Sequence, residues 1–193
     1  MMQDTGNRVC VPRLRPADTS AGPSFGRGKP ATGNLNFRPM QDAHARLVLA
    51  WTYSPPYELY NENPARVEDD VRLLLEPQNH YHTIHNEVGD LVAYCCFGRD
   101  AQVGGADYSA PALDLGLMVR PDLTGQGQGF RYAQAVVEFA ECNFPRQALR
   151  VTIAEFNRRA QRVWHKAGFL QTQSFARTGD KRRFVVCVRE EHR

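Results

Sequence analysis

The sequence is poor in the features that mark secreted, membrane-spanning and disulfide-bonded proteins. Its 193 residues include five cysteines, an odd number, and no two of them have CxxC spacing. We therefore expect reduced thiols in a cytoplasmic protein, most of them small core residues. No run approaches the roughly 18 consecutive apolar residues of a membrane span. The first residues lack the apolar region of a secretory signal, so no membrane partner is expected.

The composition that remains is that of one globular domain with an additional segment. Hydrophobic residues make up 42% of the chain and charged residues 23%, which is enough to bury a core. Residues 1–34 carry five basic and two acidic residues and repeated glycine and proline, without an apolar period. This pattern predicts a flexible basic tail at 1–34, followed by a single domain at 35–193.

The net charge of +3 conceals a division of the domain into two halves. Residues 35–112 carry 5 basic and 11 acidic residues, whereas residues 113–193 carry 14 basic and 8 acidic residues. An even basic excess would have indicated nucleic acid, so no nucleic-acid partner is expected. The division indicates that one half meets an anion and the other a cationic or neutral group. Charges scattered over solvated faces are the alternative.

Hydrophobic periodicity and turn residues predict the order β, α, α, β, β, β, α, β, α, β, β. This order indicates an α/β fold with a mixed, mostly antiparallel sheet of about six to seven strands and helices on both faces. In the first helix, which begins near Asp42, Leu47 and Ala50 are expected to face inward. The segments LDLGLMV and LRVTI are predicted strands, and helices follow Gly129 and Asn157.

The segment LMVRPDLTGQGQGFRYAQ is typical of a turn that binds phosphate. A predicted strand ends at Val119, then Gly125, Gly127 and Gly129 occupy alternate positions directly before a helix. Alternate glycines let a ligand approach the backbone, and the first amides of a helix favour an anion. The segment lacks the lysine and hydroxyl of a P-loop, and Phe130 replaces the last glycine of a Rossmann fingerprint. A plain glycine turn is the alternative.

Two motifs resemble those of the GNAT superfamily of acyl-CoA-dependent N-acetyltransferases. LDLGLMVRPDLTGQGQGFRY is similar to its acetyl-CoA motif, although Thr124 stands where arginine or glutamine is usual. LRVTIAEFNRRAQRVWHKAGF is similar to its second motif, with Asn157 after a strand and Gly168 and Phe169 after a helix. FRPMQDA resembles the usual opening of such domains, and the resemblance covers about residues 35–190.

The resemblance implies an enzyme that transfers an acetyl group from acetyl-CoA to a primary amine of a small molecule or peptide. Direct attack in a ternary complex and no metal are expected. The implied cofactor-binding residues are Leu117, Met118 and Val119 for the pantetheine arm, the turn residues Gly125, Gln126, Gly127, Gln128, Gly129 and Phe130 for the pyrophosphate, and Asn157 near the thioester. Arg120, Arg131 and Arg158 either screen the phosphates or have ordinary solvated roles.

The resemblance leaves the proton-transferring groups open. Attack on a thioester needs a neutral amine and hence a base. Asp114 is the predicted base because it lies on the strand expected to hold the thioester, with a structural strand-end carboxylate as the alternative. Other candidates are Glu58 and four tyrosines, namely Tyr53, Tyr57, Tyr60 and Tyr94. The tyrosine that often serves as the acid is replaced by Trp164, which cannot usefully donate a proton and is expected to pack in the core or against the cofactor.

The loop WTYSPPYELYN is predicted to lie over the acceptor side. Trp51, Tyr53 and Tyr57, together with Tyr94, are the predicted substrate-binding residues because they offer flat surfaces and hydroxyls. The acidic half favours a cationic acceptor. Packing of a proline-rich loop is the alternative.

Two further alternatives concern the class of protein and a metal. Thr124 and Trp164 leave room for a non-catalytic acyl-CoA-binding or sensing module on the same fold. His80 and His82 would share a face of a strand while His85 points away, and without a fourth ligand no metal is expected. The sequence defines neither the acceptor amine nor whether the protein forms a homodimer.

Overall fold

The computed structural model describes residues 34–191, which hold seven strands and four helices in the predicted order. The predicted tail at 1–34 lies outside the described residues except for Asn34. The elements are β1 (Asn36–Pro39), α1 (Asp42–Leu49), α2 (Val67–Leu75), β2 (His82–His85), β3 (Leu91–Phe97), β4 (Leu113–Val119), α3 (Gly129–Asn143), β5 (Leu149–Ala154), α4 (Arg158–Lys166), β6 (Leu170–Ala176) and β7 (Arg183–Arg189).

The seven strands form one sheet in the order β1-β2-β3-β4-β5-β7-β6. Every neighbouring pair is antiparallel except β4 and β5, which are parallel. The parallel pair is joined by a crossover through α3, as parallel strands require. The predicted mixed, mostly antiparallel sheet is therefore confirmed.

Helices cover both faces of the sheet, as predicted. The largest buried cluster joins one face to α3 and α4, and it includes Val136 and Trp164. A second cluster lies under α1 and α2, where Val48 and Val71 pack near Tyr94 on the opposite face. None of the helices in the described region is long and apolar enough to cross a membrane.

The prediction of which face of α1 is buried is wrong. The structure buries Ala45, Val48 and Leu49, whereas Leu47 is 57% exposed and Ala50 lies just beyond the helix end. An eight-residue helix has little more than two turns, so two apolar faces fit its sequence almost equally well. The sheet and α2 decide which face is buried.

Strands β4 and β5 separate soon after they pair. Their pairing ends at Leu115 and Val151, although β4 continues to Val119. Strand β5 is instead paired with β7 along its whole length. A wedge therefore opens between the carboxyl ends of β4 and β5, and we call it the β4–β5 gap.

Candidate active site at the β4–β5 gap

The register of β4 turns the backbone N–H and C=O groups of two residues toward the β4–β5 gap. The amide of Arg120 donates to the carbonyl of Val92 at 2.9 Å. Because hydrogen-bonded residues alternate along an antiparallel pair, even-numbered residues of β4 bond to β3. Leu117 and Val119 therefore turn their N–H and C=O groups toward the gap, while the backbone of Met118 is used by β3. Two of the three residues predicted to bind the pantetheine arm thus offer a sheet edge.

The turn before α3 presents backbone amides without a capping side chain. Gly125 and Gly127 have φ of +76° and +77°, in the left-handed region that favours glycine. Gln128 precedes the helix but makes no side-chain cap, and Gln126 donates instead to the carbonyl of Asp122 at 2.6 Å. The start of the 15-residue helix therefore keeps its first amides and positive dipole end for an anion.

Gly129 has a different role from the other two glycines of the turn. A Cβ at Gly129 would lie 2.9 Å from a methyl carbon of Val163 on α4, which is too close for packed carbon atoms. The glycine lets α3 approach α4. At Gly127, in contrast, a Cβ would meet nothing within 4 Å, so the space there is open to a ligand.

Two basic side chains that the sequence analysis did not single out lie beside this turn. The Arg159 guanidinium lies 3.0 Å from the position that a Cβ of Gly125 would take. The Lys166 ammonium lies over the Phe130 ring, 4.4 Å from its centroid. The basic count of the second half was the only sequence signal for them, because both depend on how α4 packs beside α3.

Two of the arginines predicted to screen phosphates have protein partners. Arg120 forms an ion pair with Asp122 at 2.8 Å. Arg158 donates to the side chain of Gln161 at 3.0 Å. These bonds indicate that Arg120 and Arg158 have ordinary roles on the solvated surface rather than phosphate binding.

Asn157 connects α4 to the loop between α1 and α2. Its Oδ1 accepts from the Ala160 amide at 3.1 Å and so caps α4. This bond fixes the orientation of the amide, and its Nδ2 donates to the Tyr60 hydroxyl at 3.0 Å. Asn157 therefore lies at the carboxyl end of β5, beside the gap.

Asp114 does not have the surroundings of a catalytic base. Its two carboxylate oxygens accept from Arg150 at 2.6 and 2.9 Å, and Gln102 donates to it at 2.8 Å. Both charged side chains are at least 95% buried. Arg150 also lies over the Tyr108 ring and donates to a backbone carbonyl. A carboxylate held in this way has no free position for an amine, so the structural alternative replaces the predicted base.

Trp164 packs in the core, as expected. It is 6% exposed and meets the Phe169 ring edge-on, with the centroids 4.9 Å apart. The other departure from the family pattern, Thr124, donates its hydroxyl to the Pro121 carbonyl at 2.8 Å. This bond closes the short turn that leads to the glycines.

The predicted substrate-binding residues form part of a row of rings along the gap. Trp51 and Tyr94 lie with their centroids 5.6 Å apart, and Tyr53 and Tyr60 lie 6.3 Å apart. The Tyr53 hydroxyl donates to the Val119 carbonyl at 2.9 Å, so this ring reaches the edge of β4.

Tyr57 lies at the other end of the row. Its ring is 5.8 Å from that of Phe156, and the Arg159 guanidinium lies 4.0 Å from its centroid. Tyr57 is therefore linked through Arg159 to the basic turn at Gly125. Tyr60, which belongs to the predicted acceptor loop, and Phe156 complete the row, and Phe156 was not predicted.

An acidic group lies beside the Tyr94 end of the row. Burial raises the pKa of Tyr94 strongly, and the charges of Glu62 and Asp100 add to this shift. Loss of surrounding water raises the pKa of Glu62, and Asp70 and Asp100 raise it further. Tyr81 donates a short hydrogen bond to Asp100. The acceptor side predicted from charge thus contains carboxylates near aromatic faces.

The histidines lie away from the gap. His82 and His85 are on β2 and point to opposite faces, as predicted, and His80 lies in the turn before it. Within residues 34–191, no group of three or more His, Cys, Asp or Glu side chains could hold a metal ion. Cys95, Cys96 and Cys187 are buried free thiols, and Cys142 is an exposed cysteine.

The fold and the site together define the class of the protein. A mixed sheet that opens between two parallel strands, with an uncapped helix start after the first of them, is the arrangement that the resemblance to the GNAT superfamily implies. A family model described as an acetyltransferase (GNAT) domain matches residues 34–170. The chain belongs to this family and is an acyltransferase enzyme. A search of curated protein sequences finds no match.

Solved structures of low sequence identity share the fold. A chimera of the spermidine N-acetyltransferase SpeG from Vibrio cholerae and hSSAT is 11% identical, with a TM-score of 0.64 over 81% of this chain and 95% of the chimera. AAC(6')-Ib in complex with ribostamycin and coenzyme A is 14% identical, with a TM-score of 0.62 over 81% of this chain and 93% of that one. An uncharacterized protein from Bacillus halodurans is 14% identical, with a TM-score of 0.65 over 81% of this chain and 83% of that one.

Proposed function

We propose that the protein transfers an acetyl group from acetyl-CoA to a primary amine of a small molecule or peptide, by direct attack in a ternary complex. One observation carries the proposal: the free edge of β4 leads directly into the uncapped start of α3. A thioester with an extended arm and a pyrophosphate fits this arrangement. Its arm needs backbone partners, and its anionic end needs helix amides.

The residues of the gap suit the two ends of this reaction. Acetyl-CoA supplies, when bound, a thioester carbon that an amine can attack. The backbone groups of Leu117 and Val119 would orient the arm, and the Val119 N–H faces the gap, where negative charge on the carbonyl oxygen would develop. Asn157 would bind the arm from the β5 side.

The acidic group supports a cationic acceptor. A lysine-like amine has a pKa near 10.4, so losing its proton at pH 7 costs roughly 4–5 kcal/mol. Glu62 is the carboxylate that we assign to receive this proton in place of Asp114, since it lies near Tyr94 and loss of surrounding water raises its pKa. One structural relative is a spermidine N-acetyltransferase and another was solved with ribostamycin, and both of these compounds carry several amines, which agrees with such an acceptor.

Release of free thiol from acetyl-CoA tests the proposal. The purified full chain would be assayed with spermidine, ribostamycin and a peptide with a free N-terminal amine, together with calorimetry of acetyl-CoA binding. We expect thiol release that depends on at least one amine. Tight binding of acetyl-CoA with no release for any amine would support the non-catalytic acyl-CoA-binding module instead.

The acceptor's charge is tested by Glu62→Gln, with Glu138→Gln on α3 as the control that removes the same charge elsewhere. We expect Glu62→Gln to raise the Michaelis constant for the cationic acceptor severalfold and to make it less dependent on salt. Because Glu62 is the assigned proton acceptor, kcat should fall as well. The constant for acetyl-CoA should stay the same. Equal constants in both variants would remove Glu62 from the acceptor side.

A further inference from the structure

The reaction proposed above needs a proton donor for the departing thiolate, and the usual position for one is closed. Trp164 occupies that position, is 6% exposed and packs on Phe169. An indole N–H does not serve as an acid at neutral pH. The donor therefore has to come from another element, and the rings that reach the β4–β5 gap are the candidates.

Tyr60 reaches the gap from the loop between α1 and α2. It ends a short 3-10 turn, Glu58–Tyr60, and its ring lies beside a cluster formed by Ala154, Phe175 and Phe184. Its hydroxyl lies 3.0 Å from Asn157 Nδ2. The chain thus brings a phenol to the residue expected to bind the arm near the thioester.

The contacts of the Tyr60 hydroxyl oxygen are both with donors. Asn157 donates through Nδ2, because its Oδ1 is already bonded to the Ala160 amide. The backbone of Ala154 also hydrogen-bonds to this oxygen and lowers the pKa. Among the described residues, no acceptor bonds to the Tyr60 O–H hydrogen, so that hydrogen is available to a ligand.

The position of Ala154 shows on which side of the gap the Tyr60 hydroxyl lies. The Glu155 amide donates to the Arg183 carbonyl at 2.9 Å, which makes these two residues a hydrogen-bonded pair of β5 and β7. The neighbouring Ala154 therefore turns its amide away from β7 and toward β4. The Tyr60 hydroxyl lies on the β5 side of the gap, opposite the edge that Val119 offers on the β4 side.

Tyr53 is another phenol at the gap, but its hydroxyl hydrogen already has an acceptor in the protein. Its hydroxyl donates to the Val119 carbonyl at 2.9 Å. Burial raises the pKa of Tyr60 above its usual value, so its phenol keeps its proton at neutral pH. The donors Asn157 and Ala154 would stabilise the phenolate once the proton has left.

We propose that the Tyr60 hydroxyl is the acid of the acetyl transfer and gives its proton to the coenzyme A sulfur. The carbon–sulfur bond breaks with its electron pair on sulfur, and the Tyr60 proton forms the thiol. The phenolate regains, through water, the proton that Glu62 received from the attacking amine. One N–H is lost and one S–H is gained, so the protons balance. This inference rests on the proposed function.

Binding measurements test the contact with sulfur without any turnover. Calorimetry at pH 9, where part of the thiol is ionised, would compare coenzyme A with desulfo-coenzyme A for the wild type and Tyr60→Phe. We expect the preference for the sulfur-containing ligand to fall by about two- to tenfold in Tyr60→Phe, as for one lost hydrogen bond. Affinity for desulfo-coenzyme A should be unchanged, and this ligand controls for the protein hydrogen bond that Tyr60→Phe also removes. An unchanged preference would show that Tyr60 does not touch the sulfur.

Kinetic measurements distinguish a role of Tyr60 as the acid from a role in positioning the ligand. Tyr60→Phe should lower kcat by about 100-fold with the Michaelis constant for acetyl-CoA unchanged. A fluorotyrosine at position 60, which has a more acidic phenol, should move the alkaline fall of kcat to lower pH. Full turnover of Tyr60→Phe by an active wild type would overturn the assignment. An inactive wild type would overturn the proposed function instead, and the calorimetry would still report on the sulfur contact.

Discussion

Asp114 and Arg150 place two opposite charges inside the sheet, at the last residue pairs before the β4–β5 gap opens. An unpaired charge there is strongly unfavourable, so the two side chains depend on each other. Gln102 and Tyr108 complete the shell around them. Burial together with bidentate geometry distinguishes this pair from the exposed ion pairs of the protein, which contribute little.

Replacing Asp114 should affect folding much more than chemistry. We expect Asp114→Asn to lower the free energy of unfolding by about 3–5 kcal/mol, because Arg150 is left buried without its counter-charge. The control is Asp69→Asn, which breaks an exposed pair with Arg72 and should cost less than about 1 kcal/mol. Urea unfolding measures both. Equal stability of the two variants, with a large loss of turnover in Asp114→Asn, would return Asp114 to the role of base.

The glycine turn allows a test of anion binding with a matched control. Gly127 and Gly89 both have positive φ and open space at Cβ, but only Gly127 precedes α3. Valine at either position should strain the backbone to a similar extent. We expect Gly127→Val to weaken acetyl-CoA binding at least tenfold, or about 1.4 kcal/mol, and Gly89→Val to leave it unchanged. Calorimetry that finds the same affinity in both folded variants would contradict the pyrophosphate assignment.

The residue-level predictions that are confirmed rest on patterns within a few neighbouring residues. Alternate glycines before a helix identify the turn because the signal lies within a few residues. The partners of Asp114 and Tyr60 lie 36 and 97 residues away along the chain. Such pairs depend on strand register and loop path, which no local pattern specifies, so the buried ion pair and the Tyr60 contact could not be predicted.

At the scale of elements, strand β2 links stability to pH through two histidines. Burial lowers the pKa of His82, which packs on Phe139, and of His85, which also lies near Arg38 and His44. The unfolded chain therefore binds more protons than the folded chain below a pH of about 6.5, and stability is lost as pH falls through this range. Above about 6.5 both histidines are neutral in either state and the effect is absent.

We expect the free energy of unfolding to fall between pH 7 and pH 5, by at most about 1.4 kcal/mol per pH unit for each histidine. His82→Gln should remove its share of this slope. Urea unfolding at several pH values measures the effect. A slope that is the same in the variant and the wild type would assign the pH dependence to other groups.

Most elements could be predicted because their signals are strong and their ends are marked. The bounds of β4 and α3 follow from a proline after one and glycines before the other, and Asn157 caps α4 as expected. The face of α1 could not be predicted because the helix is short. The parting of β4 from β5 also has no sequence signal, since both strands read as ordinary apolar runs and only their neighbours decide how far they pair.

At the scale of the whole molecule, the charge division of the sequence becomes a division in space. The acidic half supplies β1 to β3 with α1 and α2, and the basic half supplies β4 to β7 with α3 and α4. The helices of the two halves cover opposite faces of the sheet, so an anionic cofactor and a cationic acceptor would approach from different sides. The fold thus converts a difference in charge along the sequence into a difference between the two faces of the sheet.

The short pairing of β4 with β5 has a consequence for how the molecule opens. Only three residue pairs join a four-stranded part, β1 to β4, to a three-stranded part, β5, β7 and β6. Amide hydrogens at Leu117 and Val119 should exchange quickly with solvent deuterium in the free protein. A bound pantetheine arm would bridge the two parts, slow this exchange and raise the melting temperature. The two parts already share the buried cluster under α3 and α4, so the donor would add backbone hydrogen bonds where side-chain packing alone joins them.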